Sequence, residues 1–456
     1  MVSSLLRFAD NWYWALLLVA APFLLFPSPD RAWVMLVVPV GWLLAWAATG
    51  KPLPVTPLNG SLLLLYVMIA LSLYTTYDVA VSLPKVSGMV LAIGVFSVFL
   101  RMGTNPRGWW VCFGVLLASG AAIAFIGLLG TNWMVKFGAF EGLTTRFAAY
   151  ITTLPGARGG LHPNELGGAL LWIVPVLVTT SIVLVVHLRD FSREAGTTCI
   201  WFLLPILLIL TLFVSGVTLL TQSRSSYVGS TVTLLLLLLI ALPRLWRLLI
   251  LICLAGLIVL GGYYVSQTGP DVIWQQWSDV QVIGNPGFSP RVMEGRVEVW
   301  ACALLGIRDY PISGMGMNTF RGVAHVLYPE YSHVLGRDIA HAHNEFLQAG
   351  LDLGVPGMIA FVALYIGALG MLVEIWKRSF RVPPGAPAPR GFAPPSVGPL
   401  ARALALGLGG GLLAHAIYGM TDAVALGAKP GILFWMLLGL ICGLHAQSER
   451  FSADDV

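Results

Sequence analysis

The sequence has little charge and no cysteine pattern. Only 10% of its 456 residues are charged, whereas globular domains average about 25%. The five cysteines follow no regular spacing, so neither a disulfide framework nor a zinc site is predicted. The chain also lacks internal repeats of solenoid length and the matching Gly/Pro-interrupted spans of inverted-repeat transporters. These absences argue against a water-exposed domain, a disulfide-rich scaffold and an inverted-repeat transporter.

Apolar runs fill the chain instead, since 57% of the residues are hydrophobic. A span needs about 20 mostly apolar residues, and backbone groups in lipid must be satisfied within a helix. The first run follows Arg7 but has no small-x-small cleavage site, so it is predicted to be a span rather than a signal peptide. The sequence therefore predicts an all-α integral membrane protein with about 12 transmembrane helices. Their predicted starts lie near Trp12, Ala32, Leu58, Val86, Gly108, Asn164, Thr198, Ser226, Leu245, Pro356, Ala401 and Pro430.

The distribution of charge orients these spans. With both termini inside, the inner segments contain fourteen of the 26 cationic residues but only seven of the 21 acidic residues, as expected when short cytoplasmic loops collect Lys and Arg. Topology therefore explains the net charge of +5, and no nucleic-acid partner is predicted. Three parts are expected: spans 1–9 in residues 1–265 with an outer loop at 131–163, a large outer loop containing helices at 266–355, and spans 10–12 in residues 356–456 with a Pro/Gly-rich inner loop at 375–400.

Arg224 stands in TQSRSS, a short polar segment between two apolar spans. Positive charge is disfavoured in short outer loops, so an arginine there suggests an anionic ligand. The planar guanidinium matches diphosphate oxygens through paired hydrogen bonds. A snorkelling side chain, or an ion pair with a neighbouring helix, explains the residue equally well.

Arg158 lies in GARGGLHPNELGG, where glycines would let the backbone approach a ligand closely. Asn164 and Glu165 then begin the sixth span. An ordinary turn followed by a helix cap accounts for the same residues. His162, placed before Pro163, is interpreted as a loop residue.

The segment SPRVMEGRVEVWACALLGI predicts an amphipathic helix in the large outer loop. Arg291 and Arg296 lie beside Glu294 and Glu298, and a solvated, salt-bridged helix face is the favoured interpretation from this stretch alone. Pro311 is expected to stop the helix, and SGMGMN to turn the chain. The expected apolar face contains Val292, Val299 and Leu304.

The stretch HAHNEFLQAGLDLGVPG places polar side chains directly before an apolar run long enough to cross a bilayer. It predicts a helix that starts near His343, has Asn344 as its cap, and is kinked or ended by Pro356. A neutral imidazole there could take a hydroxyl proton, with Glu345 or Asp338 orienting it. A helix start without chemistry is the alternative.

His341 adds a second imidazole two residues earlier, and the two rings share a face only if the chain is extended. His341, His343, Asp338 and Glu345 could instead hold a divalent metal, but their spacing matches no known ligand signature. Near the outer end of span eleven, the sequence assigns no role to His415 and Asp422.

Four motifs follow one another between Arg158 and Gly357. RGGLHPNELGG has an Arg-Gly and Asn-Glu-Leu block, and TQSRSS has a Ser-Arg step after a span. RVEVWACALLGIRDYPISGMGMNTF has Arg-x-x-x-Trp followed by Asp-x-Pro-x-x-Gly-x-Gly, and HNEFLQAGLDLGVPG has His-Asn, nine residues, then Gly-x-x-Gly. In this order the motifs resemble those of the O-antigen ligase and polymerase superfamily of bacterial envelope glycosyltransferases.

The resemblance implies a GT-C-like membrane enzyme in the Gram-negative inner membrane, with its large loop and active site facing the periplasm. It implies transfer of O-antigen glycan from undecaprenyl diphosphate to lipid A-core oligosaccharide among membrane lipids, without metal or other cofactor. His343 would match the family's general base, and Arg224 and Arg296 its diphosphate-binding arginines. The resemblance and the neighbouring polar residues suggest a substrate-binding set of Arg158, Arg291, Asn344, Glu345 and His341.

Three other functions fit the same features. An O-antigen polymerase and a protein O-oligosaccharyltransferase would use the same donor with another acceptor. The ligase is favoured because the chain is compact and its C-terminal tail is short. A lipid-linked glycan flippase or other transporter would instead need charged residues near the membrane midplane, where the spans have almost none.

Overall fold

The computed structural model describes residues 12–133, 141–144, 151, 153–154, 157–158, 160–186, 197–269, 272, 290–331, 341–380, 398–424 and 426–454. Nearly all of this described chain is helical. The exception is a two-residue antiparallel pair, β1 (Thr153–Leu154) and β2 (Ala157–Arg158). The predicted all-α multi-pass fold is therefore confirmed.

The helices before the large loop are long and apolar. They are α1 (Tyr13–Leu25), α2 (Val37–Thr49, preceded by a 3-10 turn at Pro29–Leu36), α3 (Asn59–Thr75), α4 (Val79–Gly103), α5 (Pro106–Gly130), the single turn α6 (Glu141–Thr144), α7 (Pro163–Leu170), α8 (Val174–Val186), α9 (Thr197–Leu220), α10 (Arg224–Ala241) and α11 (Arg244–Thr268).

The remaining helices include two that belong to the predicted outer loop. They are α12 (Pro290–Asp309) and α13 (Phe320–Leu327) in that loop, followed by α14 (Glu345–Arg378), α15 (Gly398–Gly419) and α16 (Ile432–Asp454). Short 3-10 turns lie at Pro329–Tyr331 and Lys429–Gly431.

Within the described chain, ten helical segments are long and apolar enough to cross a membrane, and α1 and α3 are shorter apolar helices. Together they account for the twelve predicted spans. The fourth span begins at Val79 rather than near Val86, because the Asp78 side chain caps it by accepting the Ala80 N–H. Lys85 therefore lies inside the helix rather than in a loop.

The tenth span breaks where the sequence predicts it. Inside α14, Gly354 has a φ of 71° and a ψ of 178°, directly before Pro356. A side chain on Gly354 would collide with the backbone of Ile312, and one on Gly314 would collide with the backbone of Gly354. The SGMGMN turn therefore packs against the break in α14, and both glycines are needed for this close approach.

A separate small core holds α12 against the first part of α14. It includes Val299, Cys302 and Ala303 from α12 and Leu351 from α14. The predicted apolar face was partly wrong, because Leu304 is exposed. Small side chains at 302 and 303 let α12 approach closely, and this contact rotates Leu304 outward.

The main core of the bundle surrounds α16, where Trp435 and most of its neighbours are buried. The indole N–H of Trp109 in α5 donates to the Leu440 carbonyl at 2.9 Å, which fixes these two helices together. In contrast, α11 has no buried residue, so its apolar surface faces outward on every side. This distribution suits a bundle surrounded by lipid.

Candidate active site

Polar side chains from α12, α14 and α15 meet at one end of the bundle. The indole N–H of Trp300 in α12 donates to the His343 carbonyl at 3.3 Å. The Asn344 side chain donates to the Met420 carbonyl, just after α15, at 3.0 Å. Its oxygen accepts the N–H groups of the first turn of α14, so the predicted cap at this residue is confirmed.

The starts of α7 and α10 join the same cluster. The Ser225 and Thr421 hydroxyls lie 2.6 Å apart, and the Tyr418 hydroxyl donates to the Asn164 carbonyl at 2.9 Å. A side chain on Gly167 would lie 2.7 Å from the Ser226 hydroxyl. The glycines of PNELGG therefore let α7 approach the TQSRSS segment.

His343 is held in an uncommon backbone conformation, with a φ of 48°. Its N–H donates to Nδ1 of His341 at 3.1 Å, and its carbonyl accepts from Trp300. The Ala342 N–H donates to the Gln348 side-chain oxygen at 2.8 Å. Such strain persists where the surroundings fix it, and it is concentrated at functional sites.

Asp422 is the carboxylate beside both histidines. Its Oδ1 lies 3.4 Å from Nε2 of His341 and 3.6 Å from Nδ1 of His343, and its Oδ2 accepts from the Asn164 side chain at 3.2 Å. Burial alone would raise the pKa of Asp422, but His343, His341 and Arg296 outweigh burial and hold that pKa below its usual range. The carboxylate is therefore ionised at neutral pH.

The tautomer of His341 follows from its partners. Its Nδ1 accepts the His343 N–H, so the proton of the neutral ring sits on Nε2, which faces Asp422. Burial lowers the pKa of His341 to about 4, although Asp422 acts in the opposite direction. At neutral pH, His341 is thus uncharged and both its nitrogens are engaged.

His343 differs because, among the described residues, its second ring nitrogen, Nε2, has no hydrogen-bond or ion-pair partner. Its Nδ1 is buried, and among the described residues it lies just beyond hydrogen-bond distance of Asp422. The side chain as a whole is 34% exposed. A proton on Nδ1 would leave Nε2 as the basic atom, the arrangement in which a carboxylate orients a histidine base.

Arg224 and Arg296 lie within electrostatic range of one another, and the charge of Arg296 also acts on Asp422. Both side chains are half-buried. Within the described chain, Arg296 has no ion pair or hydrogen bond. Two half-buried guanidinium groups within electrostatic range of one another favour an anionic ligand.

Glu345 has a different partner from the one predicted. Its Oε2 lies 2.7 Å from Nε2 of His415, and both side chains are fully buried. Nδ1 of His415 lies 3.0 Å from the Gly168 carbonyl, which can only accept, so Nδ1 carries a proton. One further proton is then shared between Glu345 and His415. Glu345 therefore pairs with His415 rather than with His343, and Asp422 is the carboxylate beside His343.

A second buried hydrogen-bond network, centred on Asp352, contacts the backbone between His341 and His343. Asp352 Oδ1 accepts from the Gln348 side chain at 2.8 Å and from the Asn318 N–H at 3.1 Å. Its Oδ2 lies 3.4 Å from Nζ of Lys85. Since Gln348 also accepts the Ala342 N–H, this network links α4 and the SGMGMN turn to the backbone next to His343.

Two predicted arginines fall at the limits of the described structure. The backbone of Arg158 lies in β2 and that of Arg291 in the first turn of α12, and their side chains lie outside the description. Asp338 also lies outside the described residues.

The sequence alone predicts no role for Asp422, Trp300, Asp352 or Lys85. An acidic residue directly after an apolar span, and a lysine within one, were the available signals.

Among the described residues, two groups of side chains have metal-ligand spacing. Donor atoms of His341, His343 and Asp422 lie within 4.8 Å of one another, a set that differs from the one considered from sequence. The second group, Glu374, His445 and Glu449, lies at the opposite end of the bundle, where Arg378 pairs with both glutamates.

The fold and the site together define an all-helical, multi-pass membrane protein with a polar centre at one end of its bundle. Residues 206–362 match the family model described as O-antigen ligase, which confirms the resemblance for the three motifs inside this segment; the Arg158 block lies before it. The matched segment contains Arg224, Arg296 and His343 but ends before Asp422. The match supports O-antigen ligase- or polymerase-type glycosyl transfer at the family level. A comparison with curated proteins gives no match.

Proposed function

We propose that the protein is an O-antigen ligase of the Gram-negative inner membrane. It transfers glycan from undecaprenyl diphosphate to lipid A-core oligosaccharide at the periplasmic surface. The main support is the convergence of His343, Asp422 and Arg296, within range of Arg224, inside or beside the segment that matches the family.

The reaction is a single displacement at the anomeric carbon. The acceptor oxygen forms a bond to C1 while the bond from C1 to the diphosphate oxygen breaks, and configuration inverts. Negative charge develops on the departing undecaprenyl diphosphate. Arg224 and Arg296 bind its oxygens and stabilise this charge where it appears.

His343 takes the proton of the acceptor hydroxyl through Nε2. His341 cannot replace it in the same arrangement, because its Nδ1 accepts the His343 N–H and its Nε2 carries the proton facing Asp422. Asp422 stabilises the imidazolium that forms on His343, and the distance of 3.6 Å would shorten as that charge develops.

The other predicted residues act around this centre. Asn344 and Glu345 fix the start of α14 through Met420 and His415, and thereby the position of His343. Arg158 and Arg291 are proposed to contact the glycan or the diphosphate from the loop side.

The alternatives differ in what they require of the site. A polymerase or a protein O-oligosaccharyltransferase would keep the same base and arginines, and only the acceptor would change. A flippase needs ionisable groups along a path across the bilayer. The ionisable pair Lys85 and Asp352 lies instead within three turns of the outer helix ends, next to the candidate active site.

The proposal is tested with purified protein in detergent, where transport between compartments is impossible. Wild-type protein should join undecaprenyl-diphosphate-linked glycan to lipid A-core oligosaccharide and not to a second lipid-linked glycan or to a Ser/Thr peptide. His343→Ala should abolish transfer, and His325→Ala, an exposed outer histidine, should retain it. Full activity in His343→Ala would eliminate the proposed base, and transfer to another acceptor alone would replace the ligase by that alternative.

Treatment with a chelator distinguishes a metal-free reaction from one that needs a metal ion bound at His341, His343 and Asp422. Transfer should survive incubation with EDTA. Loss of transfer that is restored by added manganese or magnesium would contradict the metal-free reaction.

A further inference from the structure

A second concave site, which we call the Arg101 cavity, lies at the opposite end of the bundle. Its volume is about 600 Å³, and its lining includes Tyr13, Lys51, Arg101 and Asn105. Arg101 is sixteen residues beyond Lys85 in α4, or about 24 Å along the helix. Because Lys85 contacts Asp352 beside the candidate active site, the two sites lie near opposite faces of the membrane.

The wall of the Arg101 cavity is cationic. Lys51 and Arg101 both line it, and none of its described lining residues is acidic. Arg101 donates to the Pro52 carbonyl at 2.7 Å, which holds the guanidinium at the wall. Asn105 caps the start of α5 there, and this end of the helix dipole also favours an anion.

Tyr13 supplies a separate indication of a ligand. Its side chain is 2% exposed, and within the described structure its hydroxyl has no hydrogen-bond partner. The ring packs against Gly41, where any side chain would collide with it, and the Arg101 guanidinium lies 5.5 Å from the ring centroid. A buried hydroxyl without a partner is unfavourable, so a bound acceptor would satisfy it.

The cavity also lies where a lipid headgroup would be. Trp14 lines it, is 45% exposed and stacks on Trp12 at 5.8 Å, an arrangement typical of the membrane–water interface. Leu53 and Val98 give its wall an apolar part on which acyl chains could lie. A small free anion would leave this apolar part exposed.

We propose that the Arg101 cavity binds the phosphate of an anionic phospholipid headgroup. Lys51 and Arg101 pair with the phosphate, and the Tyr13 hydroxyl donates to one of its oxygens. The positive-inside pattern assigns this end to the cytoplasmic leaflet, whose anionic lipids attract such clusters. This inference does not depend on the proposed transfer reaction.

The test measures the Tm of the purified full-length protein in detergent against added lipid. Phosphatidylglycerol should raise the Tm saturably, whereas phosphatidylcholine and inorganic phosphate should not. Lys51→Gln and Tyr13→Phe should each weaken the apparent lipid affinity by about fivefold or more. Arg107→Gln removes an equal charge from an exposed position at the same end, outside the described lining, and should match wild type.

Tyr13→Phe also controls for folding, because it keeps the ring on Gly41 and removes a hydroxyl without a described partner. Its Tm in the absence of lipid should equal or exceed that of wild type. Equal phosphatidylglycerol affinity in wild type, Lys51→Gln and Tyr13→Phe would overturn the site. A Tm increase of the same size with inorganic phosphate would overturn the lipid as its source.

Discussion

Two histidines separated by one residue share the carboxylate of Asp422, yet their nitrogens are used differently. In His341 one nitrogen accepts a backbone N–H, and the other faces the carboxylate. In His343 only Nδ1 faces it, and the side chain is the more exposed of the two. His343 has a left-handed backbone, and the centroids of the two rings lie 4.6 Å apart beside the same acid.

Arg296 should contribute far more to the transfer rate than Arg308, which carries the same charge in the same helix. In Arg296→Gln the departing diphosphate loses a fixed donor, and kcat should fall by about 10²- to 10³-fold. Arg308→Gln removes the same charge from an exposed position further along α12 and should leave kcat unchanged. Steady-state rates with defined lipid-linked donor would measure both. Equal rates for the two variants would contradict the diphosphate role.

The half-buried, neutral His341 predicts a pH-dependent stability. Its pKa is about 4 in the folded protein and near 6.5 when unfolded, so between these values the unfolded chain binds more protons. Stability from this residue is therefore complete above pH 6.5 and is lost as the pH falls toward 4.

Thermal unfolding in detergent at pH 7.5 and 5.0 measures this loss, and wild type should lose on the order of 1 to 2 °C of Tm more than His341→Asn. In that variant the asparagine oxygen can still accept the His343 N–H. The exposed histidine variant His325→Asn should keep the wild-type pH dependence. An unchanged dependence in His341→Asn would contradict the half-buried, neutral state.

At the scale of helices, α14 joins two of the sequence motifs, the His-Asn segment at its start and the SGMGMN turn at its break. Its first residues lie in the candidate active site, and its break at Gly354 receives the SGMGMN turn. The SGMGMN turn is also attached to α4. The Asn318 side chain donates to the Val81 carbonyl at 2.9 Å, and the Ser82 hydroxyl donates to the Met317 carbonyl at 2.6 Å. The motif residues from His343 to Gly354 and Gly357 therefore belong to one packed unit, formed by the start of α14, the SGMGMN turn and α4.

The Lys85 and Asp352 pair should hold this unit together. In Asp352→Asn the lysine charge is left without its buried partner, so the Tm and transfer activity should both fall. Adding Lys85→Met should recover part of the Tm, with a coupling of about 0.5 to 3 kcal/mol in a double-mutant cycle. The asparagine still accepts from Gln348 or Asn318. Strictly additive Tm shifts would show that the pair does not interact.

At the scale of the whole molecule, the two polar ends of the bundle are separated by apolar helices. The candidate active site occupies one end, and the Arg101 cavity occupies the other. In the proposed orientation, lipid-linked donor is used at the outer face while anionic phospholipid is bound at the inner face.

Single introduced cysteines measure this orientation. With a membrane-impermeant thiol reagent and intact spheroplasts, Arg308→Cys should react at once, because it is exposed at the outer end of the protein. Arg107→Cys should react only after permeabilisation. Wild type gives the background, since Cys112, Cys302 and Cys442 are buried, Cys253 lies on the outward-facing surface of α11, and Cys199 lies in the apolar helix α9, with its side chain outside the description. The reverse order of labelling would invert the proposed topology.

Sequence reasoning succeeded where the controlling interactions are local. The twelve spans, the cap at Asn344 and the break before Pro356 follow from hydropathy, a side chain bonding to its own helix start, and ring sterics. The predicted start of the fourth span is seven residues late, because Pro84 and Lys85 interrupt the apolar run and the cap at Asp78 is not evident from hydropathy. For that reason Lys85 was not recognised as an intramembrane charge.

The sequence by itself determined the multi-pass membrane fold, its apolar helices and the motifs at their ends, because lipid forces each apolar run to satisfy its own backbone. Only the tertiary structure decided which acid faces the histidines. Asp422 lies about eighty residues beyond them, and Glu345, although adjacent in sequence, turns toward His415. Helix packing sets these partners, since the rotation and depth of each span depend on close contacts such as those at Gly167 and Gly314.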